Sequence, residues 1–202
     1  MSIVLASGSP RRRELLSMIG IKDFLIITDD SAERILPGLS PEETVCEIAL
    51  GKAKNVARLC GSDSFFDNNE AKSVDDRIII ADDTLVYLDD KAFGKPASEE
   101  EAFRMLRELS ARRHTVYTGV AILSARQQAV CAEMTEVFFR EISDAEILAY
   151  IETGEPMDKA GAYGAQGRGA VFVERIEGDF FNVMGLPLCR LSIMLRDFGV
   201  VV

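Results

Sequence analysis

Ile3-Val4-Leu5-Ala6-Ser7-Gly8-Ser9-Pro10-Arg11-Arg12-Arg13-Glu14-Leu15-Leu16 opens the chain with a strand, a tight turn and a helix. The apolar run from Ile3 to Ala6 stops at a Ser-Gly-Ser-Pro turn. Ser9 stands where a helix is capped, Pro10 suits the first helical position, and Leu15, Leu16 and Ile19 return at helical spacing. A strand leading straight into a helix is the building unit of an α/β sheet. The backbone N–H groups of such a turn, with two hydroxyls and guanidinium forks beside them, attract phosphate. The alternative is an ordinary capped helix with a solvated basic first turn, although the helix dipole disfavours three arginines there.

The same reasoning carries outward. Ser40-Pro41-Glu42-Glu43 is a capping box with proline at the first helical position, and the helix it starts runs to about Cys60 with Val45, Ile48, Ala49, Ala53 and Val56 on one stripe. Gly61 to Asp76, rich in Ser, Asp and Asn, reads as an irregular loop. Arg77 to Ala81 and Leu85 to Leu88 are β-prone runs, Asp89-Asp90-Lys91 is a polar turn, and Ser98-Glu99-Glu100-Glu101 boxes a third helix through Ala102, Met105, Leu106 and Leu109. His114 to Leu123 and Val130 to Phe139 fit two antiparallel strands. Ser143-Asp144-Ala145-Glu146 starts a fourth helix ended by Gly154, Val171 to Ile176 is a further strand, and Leu188 to Phe198 is a closing helix. Interleaved helices, hairpins and crossovers predict an α/β fold with a mixed sheet.

Composition narrows the function. A chain of 202 residues, 48% of them hydrophobic, supports one sizeable core, so residues 1–202 are expected to form a single domain. Lys and Arg total 23 against 33 Asp and Glu, and a net charge of -10 repels a nucleic-acid backbone, so nucleic acid is not an expected partner. Cys46, Cys60, Cys131 and Cys189 make no C-x-x-C pair and read as reduced thiols of a cytoplasmic protein. The opening apolar stretch is too short for a signal peptide, and no run is long enough to span a bilayer. His114 is the single histidine, which excludes two-histidine zinc sites. Any metal is then held by carboxylate oxygens, which points to Mg²⁺ or Mn²⁺.

Several residues carry candidate chemistry. Lys52 shares the apolar stripe of the second helix, where an ammonium needs an anion unless it snorkels from the edge. Asp82-Asp83 closes the Ile78-Ile79-Ile80-Ala81 run, placing a carboxylate at the end of a buried strand, where open α/β sheets build their sites. Consecutive strand residues face opposite sides, so one of the two enters a given site; a bulge or turn with solvated acids is the alternative. Thr84 adds a hydroxyl, and Gly94-Lys95-Pro96 a second lysine. Residues 154–169 contain several glycines among residues able to touch a charged ligand, a composition that favours a ligand loop over a spacer. His114 begins an alternating strand and reads as a structural hydrogen-bonder. Scattered cations, a buried-strand aspartate and a Gly-rich loop suit a polyphosphate with a divalent ion. Neither a Walker motif nor a dinucleotide fingerprint is present.

The block Leu5-Ala6-Ser7-Gly8-Ser9-Pro10-Arg11-Arg12-Arg13-Glu14-Leu15-Leu16 resembles the opening signature of the Maf family of nucleotide pyrophosphatases. Further blocks resemble it in order: Ala49-Leu50-Gly51-Lys52-Ala53, Ala81-Asp82-Asp83-Thr84 with Gly94-Lys95-Pro96, His114-Thr115-Val116-Tyr117-Thr118-Gly119, the segment 154–167, and Asn182-Val183-Met184-Gly185-Leu186-Pro187. The resemblance implies an ITPase-like fold, an elongated mixed sheet flanked by helices with two lobes around a central cleft, and a homodimer. It implies hydrolysis of dTTP or UTP to the monophosphate and pyrophosphate, with Asp83 as the catalytic carboxylate. Ser7, Arg12, Lys52, Lys95 and Lys159 would line the triphosphate, while Arg11, Thr84 and Gln166 match positions associated with base choice. Where the family commonly has Asp-Glu before its second helix this chain has Ala32-Glu33, so Glu33 is the implied partner of Asp83 at the metal. Two other readings are a nucleotide-binding regulator of septum formation without turnover, and a pyrophosphatase for a purine or modified nucleotide such as 7-methyl-GTP.

Overall fold

The computed structural model describes residues 2–28, 38–60 and 77–202. The strands are β1 (Ser2–Leu5), β2 (Phe24–Ile26), β3 (Arg77–Leu88), β4 (Lys91–Phe93), β5 (Arg113–Leu123), β6 (Gln128–Phe139) and β7 (Val173–Glu177). The helices are α1 (Pro10–Met18), α2 (Pro41–Leu59), α3 (Glu99–Leu109), α4 (Asp144–Ile151), α5 (Phe180–Val183) and α6 (Leu188–Asp197). Among the described residues the strands hydrogen-bond in the order β2-β1-β3-β5-β6-β7, with β4 on β3. β1 pairs in parallel with both β2 and β3, whereas β3–β4 and β6–β7 are antiparallel, so the sheet is mixed, as the interleaved pattern predicts. Among these residues no helix is long and apolar enough to cross a membrane.

The chain gathers into two compact units. One comprises Met1–Asp83, Thr118–Glu133 and Gly185–Val202, the other Thr84–Tyr117 and Met134–Met184. In the first, Val4, Ala6, Ile79, Ala81, Ala121 and Leu123 meet Ala49, Ala53, Val56 and Ala57 of α2 in one apolar cluster. Alanines make up half of the strand side and most of the helix side, and the approach is close. A Cβ added at Gly119 of β5 would lie 2.2 Å from the Val45 carbonyl oxygen, so only glycine lets α2 rest against β5 there. In the second unit α3 contributes Ala102, Met105, Leu106 and Leu109, the four residues its periodicity selects, to a cluster that includes Phe93, Phe139, Ile147, Tyr163 and Phe172.

The predicted caps divide. Ser40–Glu43 and Ser143–Glu146 form reciprocal capping boxes. Ser98 accepts from the Glu101 amide, but the Glu101 carboxylate takes the Ala97 N–H instead, one residue earlier than the box requires. Ser9 occupies the N-cap of α1, yet its side chain makes no capping bond; Ser7 Oγ instead accepts from the Ser9 amide at 3.3 Å.

β6 begins at Gln128, two residues before the expected Val130, and two further strand limits differ for reasons that the contacts show. β3 continues through Asp82 and Asp83 to Leu88 instead of closing at Ala81, because cations supplied by two helices meet the carboxylates where they lie. Val171 and Phe172 end a 3₁₀ turn, Arg168–Phe172, and β7 begins only at Val173. The Phe172 ring packs edge-on against Tyr150 at 5.1 Å, and its carbonyl accepts from the Arg140 amide, which draws the chain inward before the strand starts. The expected 61–76 loop and Glu33 lie outside the described residues.

Candidate functional site

Parallel pairing sets the site. Leu5 stands opposite Ile80, and the Ala6 amide donates to the Ile80 carbonyl at 2.8 Å, so the turn that follows β1 runs alongside Asp82 and Asp83. The alternation of β3 then sorts the two acids. Ile79 and Ala81 face α2, so Asp83, two residues on, shares that face, and Lys52 of α2 reaches it with Nζ 2.6 Å from Oδ1. Asp82 points the other way, toward α1, where Arg12 Nη1 lies 2.5 Å from its Oδ1. Each acid is buried with a cation from a different helix.

Arg12 is held by more than Asp82. Its Nη1 also donates to Ser7 Oγ at 3.2 Å, and its Nε donates to the Gly185 carbonyl at 3.0 Å. Arg13 donates to the Gly8 carbonyl at 2.9 Å. Arg11 is half-buried and has no hydrogen bond or ion pair among the described residues. Two of the three cations that a helix N-terminus disfavours are therefore held by separate acceptors. Burial of Asp82 outweighs the pull of Arg12 and Lys52 and raises its pKa to about 6, while Asp83 beside it adds to the rise. At neutral pH Asp82 is still mostly the anion that Arg12 needs.

In the second unit the Gly-rich segment is a chain of 3₁₀ turns closed on its own side chains. Glu155 Oε1 accepts from Tyr150 Oη at 2.9 Å and the Gly169 amide at 3.3 Å; Oε2 accepts from the Arg168 amide at 3.0 Å. Tyr150 Oη accepts in turn from the Gly164 amide. A Cβ at Gly167 would stand 2.6 Å from Glu155 Oε1, and one at Gly161 would stand 2.9 Å from Val86 Cγ2. What the backbone approaches closely here is therefore the protein itself. Lys159 is buried and donates to the Glu155 carbonyl and to Asp158 Oδ1, both at 2.6 Å. Lys95 and Gln166 are exposed, and Thr84 is half-buried.

His114 has the structural role its strand position suggests. It is buried, its Nε2 shares a hydrogen bond with Tyr163 Oη at 2.9 Å, and Phe139 packs edge-on to its ring at 4.8 Å. Burial pushes its pKa down to about 3, so the ring is neutral. The Tyr163 hydroxyl is pushed above its usual range by the same cause.

A hard divalent ion is commonly held by one or two carboxylates together with substrate phosphates, and the Asp83 carboxylate has that donor chemistry. Glu33, the second ligand implied by the family resemblance, is not among the described residues.

The sequence profile of Maf-like proteins matches residues 2–198. The chain belongs to the Maf family. Among its relatives, a dTTP/UTP pyrophosphatase of Caldicellulosiruptor saccharolyticus is 48% identical over 199 residues, covering 98% of this chain and 94% of the relative. One of Clostridium beijerinckii is 46% identical over 201 residues, covering 98% and 99%. Of solved structures, a HAM1 protein from Coxiella burnetii matches with TM-score 0.53 at 17% identity, over 98% of this chain and 99% of that one. The Staphylococcus aureus Ham1 protein matches with TM-score 0.51 at 15% identity and the same coverage. These likenesses bear out the expected ITPase-like α/β fold and speak to the fold alone.

Of the residues that the Maf pattern singles out, Ser7, Arg12, Lys52 and Asp83 come together in the first unit. Asp82, the anchor of Arg12, has one signal in the sequence, its place at the close of the Ile78–Ala81 run, and that signal does not name a cation. The Gly185 carbonyl and the Glu155–Tyr150 bond also escaped, since a carbonyl has no side-chain signature and Glu155 resembles any loop acid.

Proposed function

We propose that this Maf protein is a dTTP/UTP pyrophosphatase, acting in the cytoplasm as a homodimer. The full-length relatives of that name support the substrate, the homodimer follows the family resemblance, and the cytoplasmic setting follows the four cysteines without a C-x-x-C pair. The single observation that carries the chemistry is the Lys52–Asp83 pair, a buried carboxylate at 2.6 Å from a buried-stripe ammonium beside the Ser7–Arg12 turn.

In the reaction, water attacks the α-phosphorus in line. A bond forms from the water oxygen to that phosphorus, the bond from it to the bridging oxygen breaks, and pyrophosphate leaves with the bridging oxygen. Asp83 takes the proton of the attacking water as general base. Lys52 orients that carboxylate, and its ammonium meets the charge that grows on the phosphate oxygens. The amides and hydroxyls of the Ser7–Pro10 turn and the Arg12 fork favour the polyphosphate by the same electrostatics as any helix N-terminus. By the family pattern alone, Lys95 and Lys159 are further phosphate ligands, and Arg11, Thr84 and Gln166 are base readers. A divalent ion, Mg²⁺ or Mn²⁺, held by Asp83 and Glu33 would neutralise phosphate charge and acidify the attacking water.

The test is product release from dTTP, UTP, dCTP, GTP and 7-methyl-GTP with Mg²⁺, separating pyrophosphate from orthophosphate. Pyrophosphate released fastest from dTTP and UTP is the expected result. Faster release from 7-methyl-GTP would reassign the substrate, and nucleotide binding with no release would make the protein a regulator.

A further inference from the structure

We infer that Glu155 is a positioning residue for base recognition: its carboxylate clamps residues 164–169 and so fixes the place from which Gln166 meets a pyrimidine. The inference rests on the dTTP/UTP reading and on Gln166 as a base reader.

Gln166 is exposed and makes no side-chain hydrogen bond among the described residues, so its own contacts do not hold it. Its place is inherited from the backbone on either side. On the C-terminal side the Arg168 and Gly169 amides both donate to the Glu155 carboxylate, at 3.0 and 3.3 Å. On the N-terminal side the Gly164 amide donates to Tyr150 Oη, which donates in turn to Glu155 Oε1 at 2.9 Å. One carboxylate thus gathers both flanks of Gln166. Charge-assisted bonds of this kind are about twice as strong as neutral ones.

The glycines of the loop fit the same account. Gly167 has φ +141°, open to glycine but not to side-chain-bearing residues, and a Cβ there would meet Glu155 Oε1 at 2.6 Å. A Cβ at Gly164 would meet the same oxygen at 3.0 Å. Glu155 is itself tied down, because its carbonyl accepts from the buried Lys159 and its amide donates to Thr153 Oγ1. The clamp therefore has a fixed base and three donors. A glutamine at this position keeps the shape, but its amide turns a donor toward N–H groups that require an acceptor.

The experiment is a double-mutant cycle on substrate selectivity, read as kcat/KM for UTP over kcat/KM for GTP, for the wild-type chain, Glu155→Gln, Gln166→Ala and the double variant. Glu155→Gln is expected to lower that ratio at least about tenfold, chiefly by raising KM for UTP, because charged hydrogen bonds to the loop are lost. Gln166→Ala should lower it alike, and the double variant no further. A ratio unchanged by Glu155→Gln, a loss confined to kcat on both nucleotides, or losses that multiply in the double variant would each overturn the assignment. Should Glu155→Gln fail to fold, Tyr150→Phe removes one donor to the carboxylate and the acceptor for Gly164: a lowered ratio supports the clamp and an unchanged one overturns it. A wild-type chain without pyrophosphate release from any nucleotide would overturn the pyrimidine reading itself, whereas a selective wild type with an equally selective Glu155→Gln would sink the clamp alone.

Discussion

Lys52 Nζ lies 2.6 Å from Asp83 Oδ1, joining the middle of α2 to the middle of β3 across 31 positions of sequence. The lysine side chain is 16% exposed and the aspartate 5%, so the pair is largely withdrawn from bulk water. Removing one member takes a close counter-charge from the other at a place poor in water. Lys52→Met should therefore lower unfolding free energy by on the order of 3 kcal/mol and abolish turnover, as measured by urea denaturation and pyrophosphate release. Replacing both as Lys52→Met with Asp83→Leu should regain much of the stability and none of the activity. Stability losses that simply add would contradict a coupled pair.

Arg12 serves three acceptors at once: Asp82, Ser7 and the Gly185 carbonyl. A lysine has the charge without the fork. Arg12→Lys is expected to lower stability by about 1–2 kcal/mol, roughly the loss of one or two hydrogen bonds, and to weaken nucleotide binding. Melting curves and nucleotide titration check this, and a variant equal to wild type in both would mean that the fork is not used.

Gly119 is fixed by space. A Cβ there would fall 2.2 Å from the Val45 oxygen and 2.3 Å from its carbon, so Gly119→Ala must push α2 away from β5. Because α2 carries Lys52, the expected result is a destabilisation of about 2 kcal/mol or more together with lost activity. A variant with normal melting and turnover would show that the helix has room to move.

The legible and illegible parts of the fold divide along the range of the interactions. The buried stripe of α2 and the four inward residues of α3 follow from local periodicity, which is why Lys52 stood out as a lysine in need of an anion. Its partner could not be read the same way, because the pairing of Lys52 with Asp83 and of Arg12 with Asp82 depends on β1 lying beside β3 in one particular register. The same omission cut β3 short: two adjacent acids look like the end of a strand when their counter-charges are out of view. The glycines at 161, 164, 167 and 169 marked a place of close approach, but composition could not say that Glu155, Tyr150, Lys159 and Val86 are what they approach.

The single histidine gives a pH signature. His114 is neutral in the folded protein with a pKa near 3, against an ordinary value of 6.5, so below about pH 6.5 the unfolded chain binds a proton that the folded chain does not. The associated stability is complete above that pH and is lost as pH falls toward 3. Asp82, raised to about 6 by burial, acts in the opposite direction over roughly pH 4–6, since its folded form takes up the proton first. The two overlap, so wild type alone does not separate them. His114→Gln should lose less stability than wild type between pH 7 and 5, by about 2 kcal/mol, in denaturant melts at each pH. Parallel pH profiles for the two proteins would contradict a buried neutral ring.

The most direct measurement is the rate of pyrophosphate release from dTTP at saturating Mg²⁺ by wild type and Asp83→Asn, with thermal melting of both as the control for folding. If Asp83 takes the proton of the attacking water, kcat falls by about a thousandfold in a variant that still melts cooperatively. A folded Asp83→Asn protein that turns over dTTP at close to the wild-type rate would contradict it.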